Sequence, residues 1–225
     1  MPVLHEILCC PGRCFIPDQQ GNAETGSAFY AGNQGEFGLG ITLRGCIMPG
    51  MKGSRILVLT GPGKGKTTSA FGMALRALGH GGKVAVIQFI KHDGSYGEVV
   101  ALRQFPNAEV VCSGAGFTGR ARDEESRERH ASAARDGWRL ARQRLEDESL
   151  KTVILDEIFY PLNYGFISVV EVVDALKKIT PGKVVVLTGR DAPEEIAAVA
   201  DTVSRIECVR HAFQQGVKAQ RNVEF

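Results

Sequence analysis

Beyond residue 54 the chain alternates between short runs that are apolar at nearly every position and longer stretches with apolar residues three and four apart. The runs "RILVLT", "KVAVIQFI", "AEVVCS", "KTVILDE" and "KVVVLTGR" predict strands, and "TVSRIECVR" closes the series. Continuous apolar runs of this kind fit a parallel sheet covered on both sides, whereas a half-solvated sheet would show alternation. Between them, helical spacing predicts a helix over about 66–78, where Phe71, Ala74, Leu75 and Leu78 make one apolar face and Gly79 suits the C-terminal cap. A short helix is predicted near 97–104 and a long charged one over about 123–146. Ala134, Trp138, Ala141 and Leu145 form the apolar stripe of the long helix, which makes Trp138 a core residue. "SVVEVVDALKKI" and "APEEIAAVA" complete the helices. Repeated strand–helix units predict an α/β fold, a doubly wound and mainly parallel sheet with helices on both faces.

Residues 1–50 carry no such pattern. "IPDQQGNAETGSAFYAGNQGEFGLG" is rich in Gly, Asn, Gln and Ser and poor in branched apolar residues, so it offers little burial to offset its ordering entropy. The division expected is a disordered extension over 1–50 and one domain over 51–225. Met48 and Met51, directly before the first strong strand, give a start codon set too early as another origin for the segment.

Composition narrows the class. The 225 residues are 44% apolar, enough for one α/β core, and the formal net charge of +2 makes no demand for nucleic acid. No apolar run reaches the roughly 18 residues of a membrane span. "MPVLHEILCC" is interrupted by a glutamate and lacks a preceding basic segment, so it does not read as a signal peptide, and a cytoplasmic protein is expected. Of the six cysteines, four (Cys9, Cys10, Cys14 and Cys46) precede the first strand. "CCPGRC" lacks the second half of a zinc site, and a chain of this size needs no disulfide framework, so free thiols are expected.

The first strand runs into "TGPGKGKTT", residues 60–68. In a G-x-x-x-x-G-K-[ST] turn, glycines let backbone N–H groups converge on phosphate oxygens. The lysine adds a point charge, the hydroxyl holds magnesium, and the next helix offers its positive end. Gly65, Lys66 and Thr67 are in register with that pattern, and Thr60 stands where its first glycine is expected. With an apolar strand before it and an amphipathic helix after it, this is read as a nucleoside triphosphate site. It comprises Gly61, Pro62, Gly63, Lys64, Gly65, Lys66, Thr67 and Thr68, with Lys64 facing either phosphate or solvent.

Asp156 and Glu157 end the strand "KTVILDE", at the carboxyl edge where open parallel sheets gather their ligands. Carboxylates there suit a magnesium ion beside triphosphate. Arg190 ends another strand at the same edge, within reach of a phosphate or of a surface ion pair. Two classes fit these parts: an ATPase with Glu157 polarising water, and a transferase that breaks another bond of ATP.

The wording of the sequence separates them. "TGPGKGKTTSAFGMALRALGHGGKVAVIQFIK", "GAGFTGR", "VILDEIFYPLNYGF", "VVLTGRDAPEEIAAVADTVSRI" and "VRHAFQQGVKAQRNVEF", in that order, resemble the P-loop type of ATP:corrinoid adenosyltransferase over 55–225. The resemblance implies a RecA-like P-loop fold and a reaction in which a reduced corrinoid attacks the 5′ carbon of ATP and triphosphate leaves. It implies Lys66 and Thr67 as catalytic groups on that triphosphate, magnesium (or manganese) supported by Thr67 with Asp156 or Glu157, and Phe117 as an apolar wedge against the corrinoid's lower ligand. Gly119 stands where the family has tryptophan, which implies either less efficient displacement of the lower ligand or precursor corrinoids lacking the usual lower base. Phe159 and Asn222 are further departures, and His80 and His211 are read as cap or surface groups. An electron-donating reductase and a homodimer are implied, with no nucleic acid and no membrane. A RecA-like ATPase, and a carrier that binds adenosylated corrinoid without making it, are the alternatives.

Overall fold

A computed structural model describes residues 9–10, 13–17, 23–25, 53–116 and 123–223. The chain divides into two compact units, Met1–Cys46 and Ile47–Phe225. In the first, β1 (Cys9–Cys10), β2 (Arg13–Pro17) and β3 (Ala23–Thr25) pair antiparallel in that order. The sequence reading expected no strand here. Strands of two, five and three residues are too short for a hydrophobic period to register.

The second unit holds β4 (Arg55–Thr60), α1 (Lys66–Gly79), β5 (Lys83–Gln88), α2 (Gly97–Leu102), β6 (Ala108–Cys112) and α3 (Glu124–Glu146). It continues with β7 (Leu150–Asp156), α4 (Phe159–Asn163), α5 (Val169–Lys177), β8 (Val184–Thr188), α6 (Glu194–Val199) and β9 (Thr202–Arg205), and a 3-10 turn spans Ala212–Gln215. The six strands run in the order β6-β5-β7-β8-β4-β9, and each pairs parallel with its neighbours. The six-stranded sheet of this unit has the expected doubly wound α/β architecture, and every pairing within it is parallel.

Period-two alternation shares the strands between two cores. Ile56, Val58, Ala85, Ile87, Val153, Leu155, Val185 and Leu187 face α3, α4, α5 and α6. Leu59, Val84, Val86, Ile154 and Val186 face α1 and α2. Trp138 lies in the first core, 5% exposed, as its place on the stripe of α3 predicts. The face of α1 is shifted from the expected one. Ala70, Phe71, Ala74 and Leu78 are buried, while Leu75 is half exposed. Its C-terminus differs too. Gly79 is helical, His80 is the cap, and Gly81 takes the left-handed conformation (φ 76°). Gly81 N–H donates to Leu78 O and Gly82 N–H to Ala77 O, the paired bonds of a Schellman motif.

At the opposite sheet edge, Lys183 is buried and its ammonium donates to the carbonyls of Arg144, Leu145 and Asp147 at the end of α3. It thereby satisfies carbonyls that a helix C-terminus leaves open. Asp123 and Ser168 cap the N-termini of α3 and α5 by accepting from Ser126 N and Glu171 N. One element, α4, was not expected, because "FYPLN" is too short for a helical period. Its Pro161 sits in the first turn, where the missing N–H costs nothing. Among the described residues no helix is long and apolar enough to cross a membrane.

Candidate active site

The carboxyl ends of β4, β5, β7 and β8 meet the N-terminus of α1. The first backbone bond of α1 runs from Ser69 N to Gly65 O (2.8 Å), so its earlier N–H groups point out of the helix end. Gly65, in the left-handed conformation (φ 119°), makes no side-chain cap, and no acidic residue stands in the first turn. The other long helices, α3 and α5, are both capped and carry glutamates there. An uncapped helix end without acids is built to receive an anion from outside.

The loop is braced by the chain beyond β9. Gly63 N donates to Ile206 O and Ile206 N to Thr60 O, both at 2.8 Å. A Cβ on Gly61 would lie 2.5 Å from Ile206 O, and one on Gly63 2.6 Å from Glu207 O, so both positions are confined to glycine by this strap. Lys66 is buried, and its Nζ donates to the carbonyls of Gly61 and Gly63, each at 2.8 Å. Burial lowers its pKa and Arg190 adds to the effect, while the nearby charges of Glu157 and Asp156 oppose it. Pro62 and Lys64 are exposed on the loop, and Thr68 is exposed in the first turn of α1. Thr60, where the motif's first glycine was expected, has a job of its own: its hydroxyl accepts from Ala192 N (3.2 Å), tying the loop to the turn after β8.

Asp156 is fully buried at the end of β7. Its Oδ1 accepts from Thr67 Oγ1 (2.9 Å) and Thr188 Oγ1 (2.7 Å), and its Oδ2 from Gln88 Nε2 (2.9 Å). Glu157 lies just beyond the strand with φ 62°, a left-handed backbone uncommon outside glycine, and its N–H donates to Thr188 Oγ1 (2.9 Å). Burial pushes its carboxyl up to about 7, assisted by Asp156 and opposed by Lys66, Lys91 and Arg190. Among the described residues its Oε2 is buried with no hydrogen-bond partner.

Arg190 is exposed after Gly189 (φ 147°), and its charge reaches both Lys66 and Glu157. Phe159 is wholly buried against that glycine, where an added Cβ would lie 2.8 Å from its own. The structure thus brings Lys66, Thr67, Asp156, Glu157 and Arg190 to one edge. Phe117, Gly119, Arg120 and Arg122 lie outside the described residues. The base of their loop is zipped to the chain after β5, with Gly114 N donating to Lys91 O and Gly116 N to Ile90 O. His80 caps α1, and His211 Nδ1 accepts from Phe213 N at the 3-10 turn.

Sequence reasoning missed Gln88, Thr188 and the Ile206–Glu207 strap. The first two had a signal. Positions 84, 86 and 88, 152, 154 and 156, and 184, 186 and 188 share the α1 face, so the polar residue ending each run is brought beside Asp156. The strap acts through backbone atoms and left none.

A parallel sheet, a glycine-rich loop, an uncapped helix and a buried strand-end aspartate hydrogen-bonded to the loop threonine define a P-loop nucleoside-triphosphate-binding protein. Within that class, the family model for ATP:corrinoid adenosyltransferase BtuR/CobO/CobP matches residues 52–225. The chain belongs to this family. The corrinoid adenosyltransferase of Escherichia coli K12 is 44% identical over 170 residues, 76% of this chain and 85% of the relative. Those of Pseudomonas aeruginosa and Salmonella typhimurium are 42% and 40% identical over 76% of this chain, covering 83% and 85% of their own lengths.

Proposed function

We propose that this protein transfers the 5′-deoxyadenosyl group of ATP to the cobalt of a reduced corrinoid, cob(I)alamin or a cob(I)yrinic acid diamide, in adenosylcobalamin biosynthesis or salvage. Family membership across the whole α/β unit carries the reading, because it chooses among the bonds of ATP that a phosphate loop alone leaves open. The cobalt–carbon bond forms as the C5′–O bond breaks, and the bonding pair departs on triphosphate. No proton moves, so no general acid or base is required. Rate enhancement comes from alignment and from stabilising the leaving group.

In this reading Gly61, Pro62, Gly63, Lys64, Gly65 and Thr68 shape the triphosphate cradle, with Lys66 and Arg190 supplying positive charge to the departing chain. The oxygens present suit magnesium or manganese. The hydroxyl of Thr67, the carboxylate of Asp156 and the unpartnered Oε2 of Glu157 are all hard donors. Thr67, Asp156 and Glu157 would hold the ion, which when bound neutralises phosphate charge. Phe117 would press against the corrinoid's lower face, and Gly119 would suit precursors without a lower base. Formation of cob(I) requires an electron-donating reductase, and the setting proposed is the cytoplasm, as a homodimer.

The test is product identity. Incubated with ATP, magnesium and chemically reduced cobalamin, the protein is expected to release triphosphate and form light-sensitive adenosylcobalamin. ADP and phosphate released without corrinoid would make it an ATPase. Corrinoid binding without either product would make it a carrier.

A further inference from the structure

Resting on the metal reading above, we propose that Thr188 and Gln88 are positioning residues that fix Asp156 and Glu157 for the divalent cation. Both are wholly buried, as is Asp156, so every polar atom among them must find its partner within the protein. An ionised carboxylate only accepts. Gln88 must therefore present its NH2 group to Asp156 Oδ2 (2.9 Å), which leaves its Oε1 to accept from Cys112 Sγ (3.4 Å). Thr188 spends its single proton on Asp156 Oδ1 (2.7 Å), and its oxygen accepts the Glu157 N–H (2.9 Å). One hydroxyl thus holds the aspartate carboxylate and the backbone of the next acidic residue.

That backbone needs holding. Glu157 has φ 62°, a left-handed conformation in which a residue with a Cβ crowds its own carbonyl. The bond to Thr188 ties the turn from which the Glu157 carboxyl and Lys66 feel one another's charge. The same strands show what is unusual here. On the α1 face, positions 84 and 86 of β5 and 184 and 186 of β8 are all valine, and polarity begins only level with Asp156. Apolar residues would pack these strand ends equally well; hydrogen-bonding ones orient the carboxylates. Outer-sphere partners of metal ligands, when removed, typically cost 10–100-fold in metal affinity.

The experiment is calorimetric titration of the full-length protein with ATP, once with EDTA and once with manganese, taking the ratio of the two dissociation constants as the metal-dependent gain. Thr188→Val keeps the shape and loses the hydroxyl. It is expected to lower that gain 10–100-fold with the EDTA affinity unchanged, and Thr188→Ser is expected to restore it. Gln88→Met, near-isosteric at a separate strand, is expected to lower the gain as well and stands in should Thr188→Val not fold. A wild-type gain in both Thr188→Val and Gln88→Met, while Asp156→Asn abolishes it, would overturn the positioning role and leave the metal reading intact. Thr188→Ser behaving like Thr188→Val would also overturn it, by assigning the effect to packing. A wild-type gain in Asp156→Asn would remove the metal reading itself.

Discussion

At the scale of single residues, Glu157 carries the clearest titration. In the fold its carboxyl is held near 7, by burial first and by Asp156 second, against an ordinary value of 4.5. Between those values the folded protein keeps a proton that the unfolded chain has released, so the group's contribution to stability falls as pH rises through this window and is fully unfavourable above it. Without divalent metal, melting temperature should therefore decline from pH 5 to pH 7.5 in the wild type. In Glu157→Gln the decline should be shallower, and the variant should melt higher at pH 8. Parallel melting curves would count against the burial of this group. Lys66 gives a second, kinetic expectation. Its two bonds to Gly61 and Gly63 set the ammonium inside the cradle rather than outside it. Lys66→Met is expected to lower adenosyl transfer about 100–1000-fold, the range for loss of one preorganised donor to a developing anion, and to weaken ATP binding in calorimetry.

At the scale of elements, the readable parts of the sequence were those with a long period or a fixed motif. Strands β4 to β8 and helices α1, α3 and α5 announced themselves by apolar runs and helical stripes, because burial between two helical layers selects apolar residues there. Leu75 was assigned inward because spacing alone cannot locate the edge of an apolar arc; Ala70 occupies that edge instead. The sequence pattern names Gly79 as the cap because it is the first glycine after the apolar face; the hydrogen bonds of the ending assign the left-handed position to Gly81. The loop–strap contact was invisible for a deeper reason, since its hydrogen bonds are backbone to backbone and join residues 143 and 146 apart, Gly63 with Ile206 and Thr60 with Ile206. It is also testable. In Gly63→Ala the new methyl would sit 2.6 Å from Glu207 O and 2.8 Å from the Ile206 side chain, so loop and strap must part. ATP affinity and melting temperature are both expected to fall. Gly72→Ala, whose added methyl meets nothing within 4 Å in the interior of α1, serves as the control: ATP affinity should be unchanged, and melting temperature should rise because alanine favours the helix over glycine.

At the scale of the whole molecule, the candidate site was legible to the extent that it lies in contiguous motifs. Lys66 and Thr67 announce a phosphate loop, and Asp156 and Glu157 an acidic strand end; the ordered series of motifs supplied the reaction. Gln88 and Thr188 left a period-two signal at the ends of their runs, but which run ends lie beside Asp156, and where the strap falls, depend on strand order, which no local pattern encodes. The same distinction bears on residues 1–50. The family match begins at residue 52, the larger compact unit begins at Ile47, and β1, β2 and β3 form a sheet of their own. Every residue proposed for catalysis or binding lies in the larger unit, and so do both of its cores. We therefore propose that the first 50 residues are dispensable for chemistry. A chain beginning at Met51 is expected to melt cooperatively, to bind ATP with unchanged affinity, and to form adenosylcobalamin with the kcat and KM of the full chain. The boundary is a close one, because Arg55 opens β4, the strand that delivers the phosphate loop, and its N–H is bonded to Lys183 O (2.9 Å). Removing β4 as well, by starting at Gly61, deletes an interior strand of the parallel sheet and should abolish folding. Loss of transfer in the chain beginning at Met51, with ATP binding retained, would instead assign the N-terminal unit a part in handling the corrinoid.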